Sequence, residues 1–482
     1  LRPQPTRSLP AALVLGLTLA LIGTHARGDD DPNTAPAAGS TRPNVLFLFT
    51  DDQRADTIGA LGNPLIQTPN LDRLAQSGFV FSNAYCMGGN QPAVCLPSRT
   101  MLLSGRSLFH LQQATADAPN LPRAFNQAGY VTYHHGKRGN TPHAIQTNFQ
   151  TDKYLGNDQQ ERSSGYPGKE IADAAVEFLG ARPKDRPFLM YLAFANPHDP
   201  RVINREYRAR YDEPSMPLPR NYQPFHPFNN GELLVRDEQL APWPRTPAVV
   251  RAHLTDYYGV MTYLDMQIGR ILQALKDQGV YDHTIIVFSS DHGLALGSHG
   301  LFGKQNVYED GMKVPLIFTG PGIPRGRSDA YAYLFDIFPT LADLTALSAP
   351  TGVDGRSLVP VIRGDSRRVR DFVFLAYRDV QRSIRLGDWK LIRYPQINRS
   401  QLFNLEVDPA ETSDLAADQS SNSLIKALMA RLEEEQQKQG DTLALTSAQP
   451  RNAEVDVSFF QRSAAEQEKA KAKAKRKNAA RN

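Results

Sequence analysis

Short runs that are apolar at every position, not at alternate ones, narrow the folds open to this chain. Asn44–Thr50 reads NVLFLFT, Phe188–Phe194 reads FLMYLAF, Thr284–Ser289 reads TIIVFS and Pro315–Phe318 reads PLIF. A strand with one wet face alternates apolar and polar residues, whereas an unbroken run is buried on both faces. Helix signals lie between these runs. Thr68-Pro69-Asn70-Leu71-Asp72 is a capped start with proline in the first turn. A short helix around Leu121 to Gln127 precedes a strand at Val131–Tyr133, and a long helix runs from about Val249 to Lys276. Strands alternating with helices predict an α/β fold: a large, mostly parallel sheet flanked by helices. Ligands of such sheets bind beyond the carboxyl ends of the strands.

The 482 residues are enough for one large domain and a smaller one, and 41% hydrophobic content suits a globular core. The pattern predicts a catalytic domain over 44–349. From about 350 the character changes. Asp388–Tyr394 and Leu402–Leu405 read as short strands, Asp408–Glu411 as a turn, and a helix follows near Leu424 to Gln436. This is a C-terminal antiparallel-sheet subdomain over 350–445. Residues 446–482 read as a basic low-complexity tail. Ser463–Asn482 carries a net charge of +5 against +4 for the whole chain, so the remainder is close to neutral. With no reader motif either, nucleic-acid binding is not expected.

At the other end, Arg2 and Arg7 precede the apolar run Ala11–Ile22, and Thr24-His25-Ala26 offers a small-residue cleavage site. Residues 1–26 read as a secretory signal peptide, too short for a membrane span, with 27–43 a polar linker. The expected location is therefore periplasmic or secreted, with no stable membrane span after cleavage. Export permits disulfides, yet Cys86 and Cys95 are the two cysteines.

Chemistry gathers behind the apolar runs. Asp51 and Asp52 end the first, and Asp291 and His292 follow Thr284–Ser289. Adjacent carboxylates repel, and a cation or strong donors must hold them ionised. These four residues make a mainly oxygen donor set, suited to a hard divalent ion such as Ca²⁺. Cys95-Leu96-Pro97-Ser98-Arg99 runs into a short helix that stops at Gly105. Cys95 falls just before that helix, where free N–H groups favour negative charge. Arg99 lies about one turn on, able to point back toward position 95.

Together these motifs resemble the type I, formylglycine-dependent sulfatases of the alkaline phosphatase superfamily, over roughly residues 43 to 440. The resemblance implies a sulfuric ester hydrolase. In it a formylglycine-generating enzyme oxidises Cys95 during maturation, and position 95 joins Asp51, Asp52, Asp291 and His292 around one Ca²⁺. One hydroxyl of the hydrated aldehyde attacks sulfur with help from Asp291, and the other lets the aldehyde re-form and expel sulfate. Lys304, in Gly303–Glu309, and Lys137, in His135-Gly136-Lys137, match the lysines that bind sulfate oxygens. His198 matches the histidine that contacts sulfate and protonates the leaving alcohol.

One departure stands out. Many sulfatases carry a histidine two or three positions after the lysine matching Lys137; here those positions are Gly139 and Asn140. Asn140, His134, His135 and His143 are the candidates to replace it. The expected substrate is a sulfated carbohydrate or a small sulfate ester, with Arg201, His226 and Arg251 as possible recognition residues. Two alternatives remain open from sequence. One is a phosphonate or phosphate diester hydrolase of the same superfamily. The other is a non-catalytic glycan-binding protein, if Cys95 stays a thiol. The sequence carries no signal of oligomeric state.

Overall fold

A computed structural model describes residues 42–348, 350–458 and 460. The leader reading, the linker reading up to residue 41 and the basic tail from 461 lie outside the described residues. Among the described residues no helix is long and apolar enough to cross a membrane.

The large sheet is built from β1 (Asn44–Thr50), β2 (Phe79–Tyr85), β4 (Val131–Gly136), β5 (Thr151–Tyr154), β6 (Phe188–Ala193), β7 (Thr284–Ser290), β8 (Lys313–Val314), β9 (Leu316–Thr319) and β10 (Gly326–Tyr333). Its order is β10-β2-β9-β7-β1-β6-β4-β5, with β8 paired to β2. The pairs from β7 across β1, β6 and β4 to β5 are parallel, as is β10 with β2. β9 runs antiparallel to both β7 and β2, so Pro315–Phe318 is a buried strand of reversed direction.

Every residue of β1, β6 and β7 is buried, which explains their unbroken apolar runs. The side-chain period of two divides β1 between two cores. Val45, Phe47 and Phe49 pack with Leu102, Leu103 and Phe125 on one face. Leu46 and Leu48 pack with Ala172, Leu264 and Ile268 on the other. The helices Lys169–Ala181 and Pro247–Asp277 cover that second face; the latter matches the long helix read from sequence within two residues at each end.

The smaller sheet comprises β11 (Phe372–Tyr377), β12 (Gln381–Leu386), β13 (Trp389–Tyr394) and β14 (Arg399–Asn404), all antiparallel, against the helix Asn422–Gln439. Its edge is completed by β3 (Gly88–Gly89), which runs parallel to β11 just ahead of the Cys95 helix. Gly88 has φ +120°, and a Cβ there would fall 1.9 Å from the Ala376 carbonyl oxygen, so only glycine allows this pairing. Chain near Cys95 thus belongs to the small sheet, and the two parts interlock across any boundary at 349/350.

The tail reading also changes. Residues 446–458 do not hang free: Ser447 bonds to the Asn398 side chain, the Arg451 N–H donates to the Gln396 carbonyl, and the Asn229 N–H donates to the Ala453 carbonyl. The Phe460 ring lies 5.2 Å from that of Trp243.

Candidate active site

The nine residues singled out in the sequence converge behind the ends of β1, β4, β6 and β7. Asp51, Asp52, Cys95, Arg99, Lys137, His198, Asp291, His292 and Lys304 are all buried. The parallel strands deliver the acidic residues side by side, because Thr50 of β1 is in register with Ser290 of β7. The Asp291 N–H then donates to the Thr50 carbonyl, and the Asp52 N–H to Asp291 Oδ1 at 3.0 Å. Asp52 adopts a left-handed φ of 66°, which aspartate tolerates better than most residues.

Cys95 is the first residue of the helix Cys95–Ser104, one position further in than its sequence suggests. Pro97 sits in the first turn, where a missing N–H leaves no bond unmade. The helix stops at Gly105 in the left-handed conformation. Cys95 Sγ lies 3.2 Å from His292 Nε2, 3.3 Å from Lys304 Nζ and 3.4 Å from Asp51 Oδ1. One turn on, Arg99 Nε donates to Asp291 Oδ2 at 3.1 Å, and Nη2 is 3.5 Å from Asp51 Oδ2. Arg99 Nη1 is buried with no acceptor among the described residues.

Lys137, at the end of β4, forms an ion pair with Asp51 Oδ2, and Lys304 Nζ donates to Asp52 Oδ1 at 2.7 Å. Burial alone would raise the Asp51 carboxyl, but the charges of Lys137, His198, Arg99 and Lys304 outweigh it and hold it well below the usual range. Asp52 shifts down likewise, burial being overcome chiefly by Lys304. Burial, then the Asp51 charge, drive the Cys95 thiol well above its ordinary value. The two lysines shift upward because Asp51 and Asp52 outweigh the effect of their burial.

The donor set fits a metal ion. Asp51, Asp52, Cys95 and His292 each place a ligand atom within 4.8 Å of the others. Ligands on opposite sides of a Ca²⁺-sized ion, at about 2.4 Å each, stand about that far apart. His292 Nδ1 donates to the Gly293 carbonyl at 3.0 Å, so its Nε2 lone pair faces the cluster. A ligating histidine is commonly oriented by such a bond. Asp291 stands at the rim of this set: Oδ1 accepts from Asp52 and His292 N–H groups, and Oδ2 from Arg99.

His198 Nδ1 donates to the Asp199 carbonyl at 2.8 Å, leaving Nε2 4.0 Å from Asp52 Oδ2. Burial lowers its pKa against the pull of Asp52.

None of the candidates for the absent histidine bonds to Cys95. His134 is held by Asp152 at 2.7 Å and Gln146 at 3.2 Å, His143 by Tyr154, and His135 has no hydrogen-bond partner among the described residues but lies 3.9 Å from Glu170. Asn140 is exposed, with a left-handed φ of 54°, and makes no side-chain hydrogen bond to the described site residues. Of the recognition candidates, Arg201 donates to the Pro197 carbonyl and lies 5.7 Å over Tyr257, whose hydroxyl donates to the Asp52 carbonyl. His226 is internal, spent on the Phe228 carbonyl and the Tyr308 hydroxyl, and Arg251 is tied to the Met216 carbonyl.

The structure adds residues that the sequence did not mark. Asp237 Oδ2 is 3.9 Å from Lys304 Nζ and accepts from Gln305 at 2.8 Å. Arg236, more than half exposed, pairs with both Asp199 and Asp237. This 236–238 segment has no periodicity and no recognisable motif, so only the fold reveals it.

Known proteins resemble this chain over most of its length. The Sulfatase family model matches residues 43–347, and a model for the C-terminal region of N-sulphoglucosamine sulphohydrolase matches 297–438. An N-acetylglucosamine-6-O-sulfatase of Bacteroides thetaiotaomicron is 26% identical, over 90% of this chain and 92% of its own length. Separately, a solved structure described as a protein in complex with its substrate D-glucosamine-2-N,6-O-disulfate superposes with TM-score 0.68 at 26% identity, covering 83% of this chain and 99% of that one. The phosphonate monoester hydrolase of Agrobacterium radiobacter shares the fold, with TM-score 0.69 at 23% identity over 83% of this chain and 96% of its own. By the match over residues 43–347, on which the site residues fall, the chain belongs to the sulfatase family.

Proposed function

We propose that this sulfatase removes a terminal sulfate group from a carbohydrate, with Cys95 converted to formylglycine and Ca²⁺ held by Asp51, Asp52, Asp291, His292 and position 95. The observation that carries the reading is a balance of buried charge. Asp51, Asp52 and Asp291 bring three negative charges, and Arg99, Lys137 and Lys304 three positive ones. The protein's own charges cancel, so a bound dication would leave a net positive site that favours an anionic sulfate monoester. Ca²⁺, when bound, supplies Lewis-acid polarisation of a sulfate oxygen and of the nucleophile. Formylglycine supplies, in its hydrated form, two hydroxyls on one carbon.

The chain's own residues do the rest. Lys137 and Lys304 present ammonium donors to sulfate oxygens, where charge builds in the transition state. Arg99 fixes Asp291, and Asp291 takes the nucleophile's proton. His198, oriented by its Nδ1 bond, gives a proton from Nε2 to the leaving alcohol. His292 Nε2, 3.2 Å from the Cys95 sulfur, is the imidazole nearest the nucleophile where the usual histidine after Lys137 is lacking. The carbohydrate class is supported by the relative named for N-acetylglucosamine 6-sulfate and by the glucosamine disulfate complex. The Ala11–Ile22 leader supports export to the periplasm or beyond, with a maturation enzyme met on the way.

The test is turnover of sulfated sugars, p-nitrophenyl sulfate and p-nitrophenyl phenylphosphonate by protein from its native host, with peptide mass spectrometry at Cys95. Sulfate release, an aldehyde or hydrate mass, and no turnover by Cys95→Ala are expected. Full activity of Cys95→Ala, or a preference for the phosphonate, would overturn the reading.

A further inference from the structure

A cavity of about 650 Å³ is lined by none of the nine active-site residues. Its wall is made by the segments 61–65 and 217–221, with Lys313 of β8, Arg327 of β10 and Arg385 of β12. That volume is within the size range of small-molecule sites.

The charges around it do not cancel. Arg54 in the wall is spent on Asp56 and Asp310. Glu309 accepts from Tyr85 at 2.7 Å, Lys390 at 2.9 Å and Arg385 at 3.2 Å, and Lys390 also pairs with Glu411 at 2.7 Å. Lys313 stands beside Tyr85 across the β8–β2 pair. Neither Lys313 nor Arg327 has an ion pair or a side-chain hydrogen bond among the described residues. Burial lowers the Lys313 ammonium, Glu309 offsets this in part, and the charges of Arg385, Lys390 and Arg327 add to the lowering. Two carboxylates, Glu309 and Glu411, thus stand against four cations, Lys313, Arg327, Arg385 and Lys390. A half-buried ammonium without a counterion is costly, and an anion in the cavity would supply the missing charge. Part of the wall is apolar, with Pro64, Leu65, Pro217 and Leu218, and Leu65 is 44% exposed. Such a surface suits a sugar ring that carries the anion better than a bare inorganic ion.

We infer that this cavity is a second, non-catalytic binding site, where Lys313 and Arg327 hold a sulfate or carboxylate group of a glycan. The glycan as carrier rests on the sulfatase reading above; the need for an anion does not. The test is calorimetric binding to full-length Cys95→Ala protein at fixed ionic strength. The probes are a chondroitin 6-sulfate tetrasaccharide, its desulfated form, which keeps the carboxylates, and uncharged chitotetraose. Lys313→Gln and Arg327→Gln are made in that background, with Arg325→Gln, exposed and outside the wall, as the control. The sulfated probe should lose about tenfold in affinity in each cavity variant, the worth of one charge-assisted hydrogen bond, and nothing in the control. Lys313→Gln, which removes an uncompensated charge, should melt no lower than its parent. An equal loss for the desulfated probe would identify carboxylate as the group held. Binding that survives both cavity variants, falls equally in Arg325→Gln, or is matched by chitotetraose overturns the site, as does no binding of any probe. With Cys95 intact, both cavity variants should turn over p-nitrophenyl sulfate like the parent. No sulfate release by the parent would overturn the sulfatase reading and leave the binding result standing.

Discussion

Glu238 touches none of the reacting groups, yet it governs where Lys304 stands. Its carboxylate accepts from the Phe302 and Gly303 N–H groups, at 2.9 and 2.8 Å, and from Arg245 at 2.7 Å. Arg245 is fully buried, 3.5 Å over the Trp243 ring and 4.9 Å from that of Phe302. The pair clamps the backbone just before Lys304. We expect Lys304→Ala to lower kcat/KM about a hundredfold, as loss of a transition-state donor does. Glu238→Gln should cost less in the parent and nearly nothing when Lys304 is already alanine. A double-mutant cycle on p-nitrophenyl sulfate checks this; additive losses would show that Glu238 acts elsewhere. The carboxylates at strand ends were readable in the sequence because an apolar run followed by Asp-Asp or Asp-His is a local pattern. Glu238 and Asp237 were not, since the loop they hold, Phe302 to Gln305, lies more than sixty residues away and has no periodicity. His226 misled because Tyr308, which takes its second nitrogen, lies 82 residues on in the chain.

Elements meet through polar groups that periodicity does not reveal. Asp265, on the helix Pro247–Asp277, caps another helix, Pro69–Ser77, by accepting from the Asn70 and Leu71 N–H groups at 3.1 and 2.8 Å. Burial raises its pKa to about 6, and the backbone N–H bonds offset this only in part. An acid whose folded pKa is raised binds protons more tightly when folded, so its contribution to stability falls as pH rises from about 4 to 7. The stability of the parent relative to Asp265→Asn should therefore decline across that window in denaturant titrations. A difference independent of pH would show an ordinary carboxyl. Gly88 is the other junction. Gly88→Ala drives a Cβ into the Ala376 carbonyl at a positive φ, and should cost more than about 1 kcal/mol with loss of turnover. Unchanged melting and activity would mean that β3 can leave the small sheet freely. The parallel strands and the long helix were legible because burial on both faces, or on one stripe, writes itself into the sequence. β2 and β10 were not, since Ser82 and Asn83 in one and Arg327 and Asp329 in the other interrupt the apolar pattern.

At the scale of the molecule, the two sheets and the segment that follows them hold one another in place. A chain shortened to residue 445 loses the Phe460–Trp243 contact and the bonds to Gln396 and Asn229. That cut should cost about 2 kcal/mol from lost aromatic burial alone. Melting equal to that of the full chain would show that the docked segment carries no stability. The β3–β11 pairing has a consequence in time as well as in space. Cys95 is wholly enclosed in the finished fold, and the strand that secures its loop pairs with Ala376 and Tyr377, roughly 280 residues later in the chain. At about 5–20 residues per second, the ribosome takes on the order of 14–56 s to reach them. If Cys95 is modified as proposed above, the modifying enzyme must reach it in that interval, because the finished fold shuts the thiol away. An oxidising maturation enzyme should convert a peptide spanning 86–106 but not the folded thiol protein, and conversion of both would show that the closed site opens after synthesis.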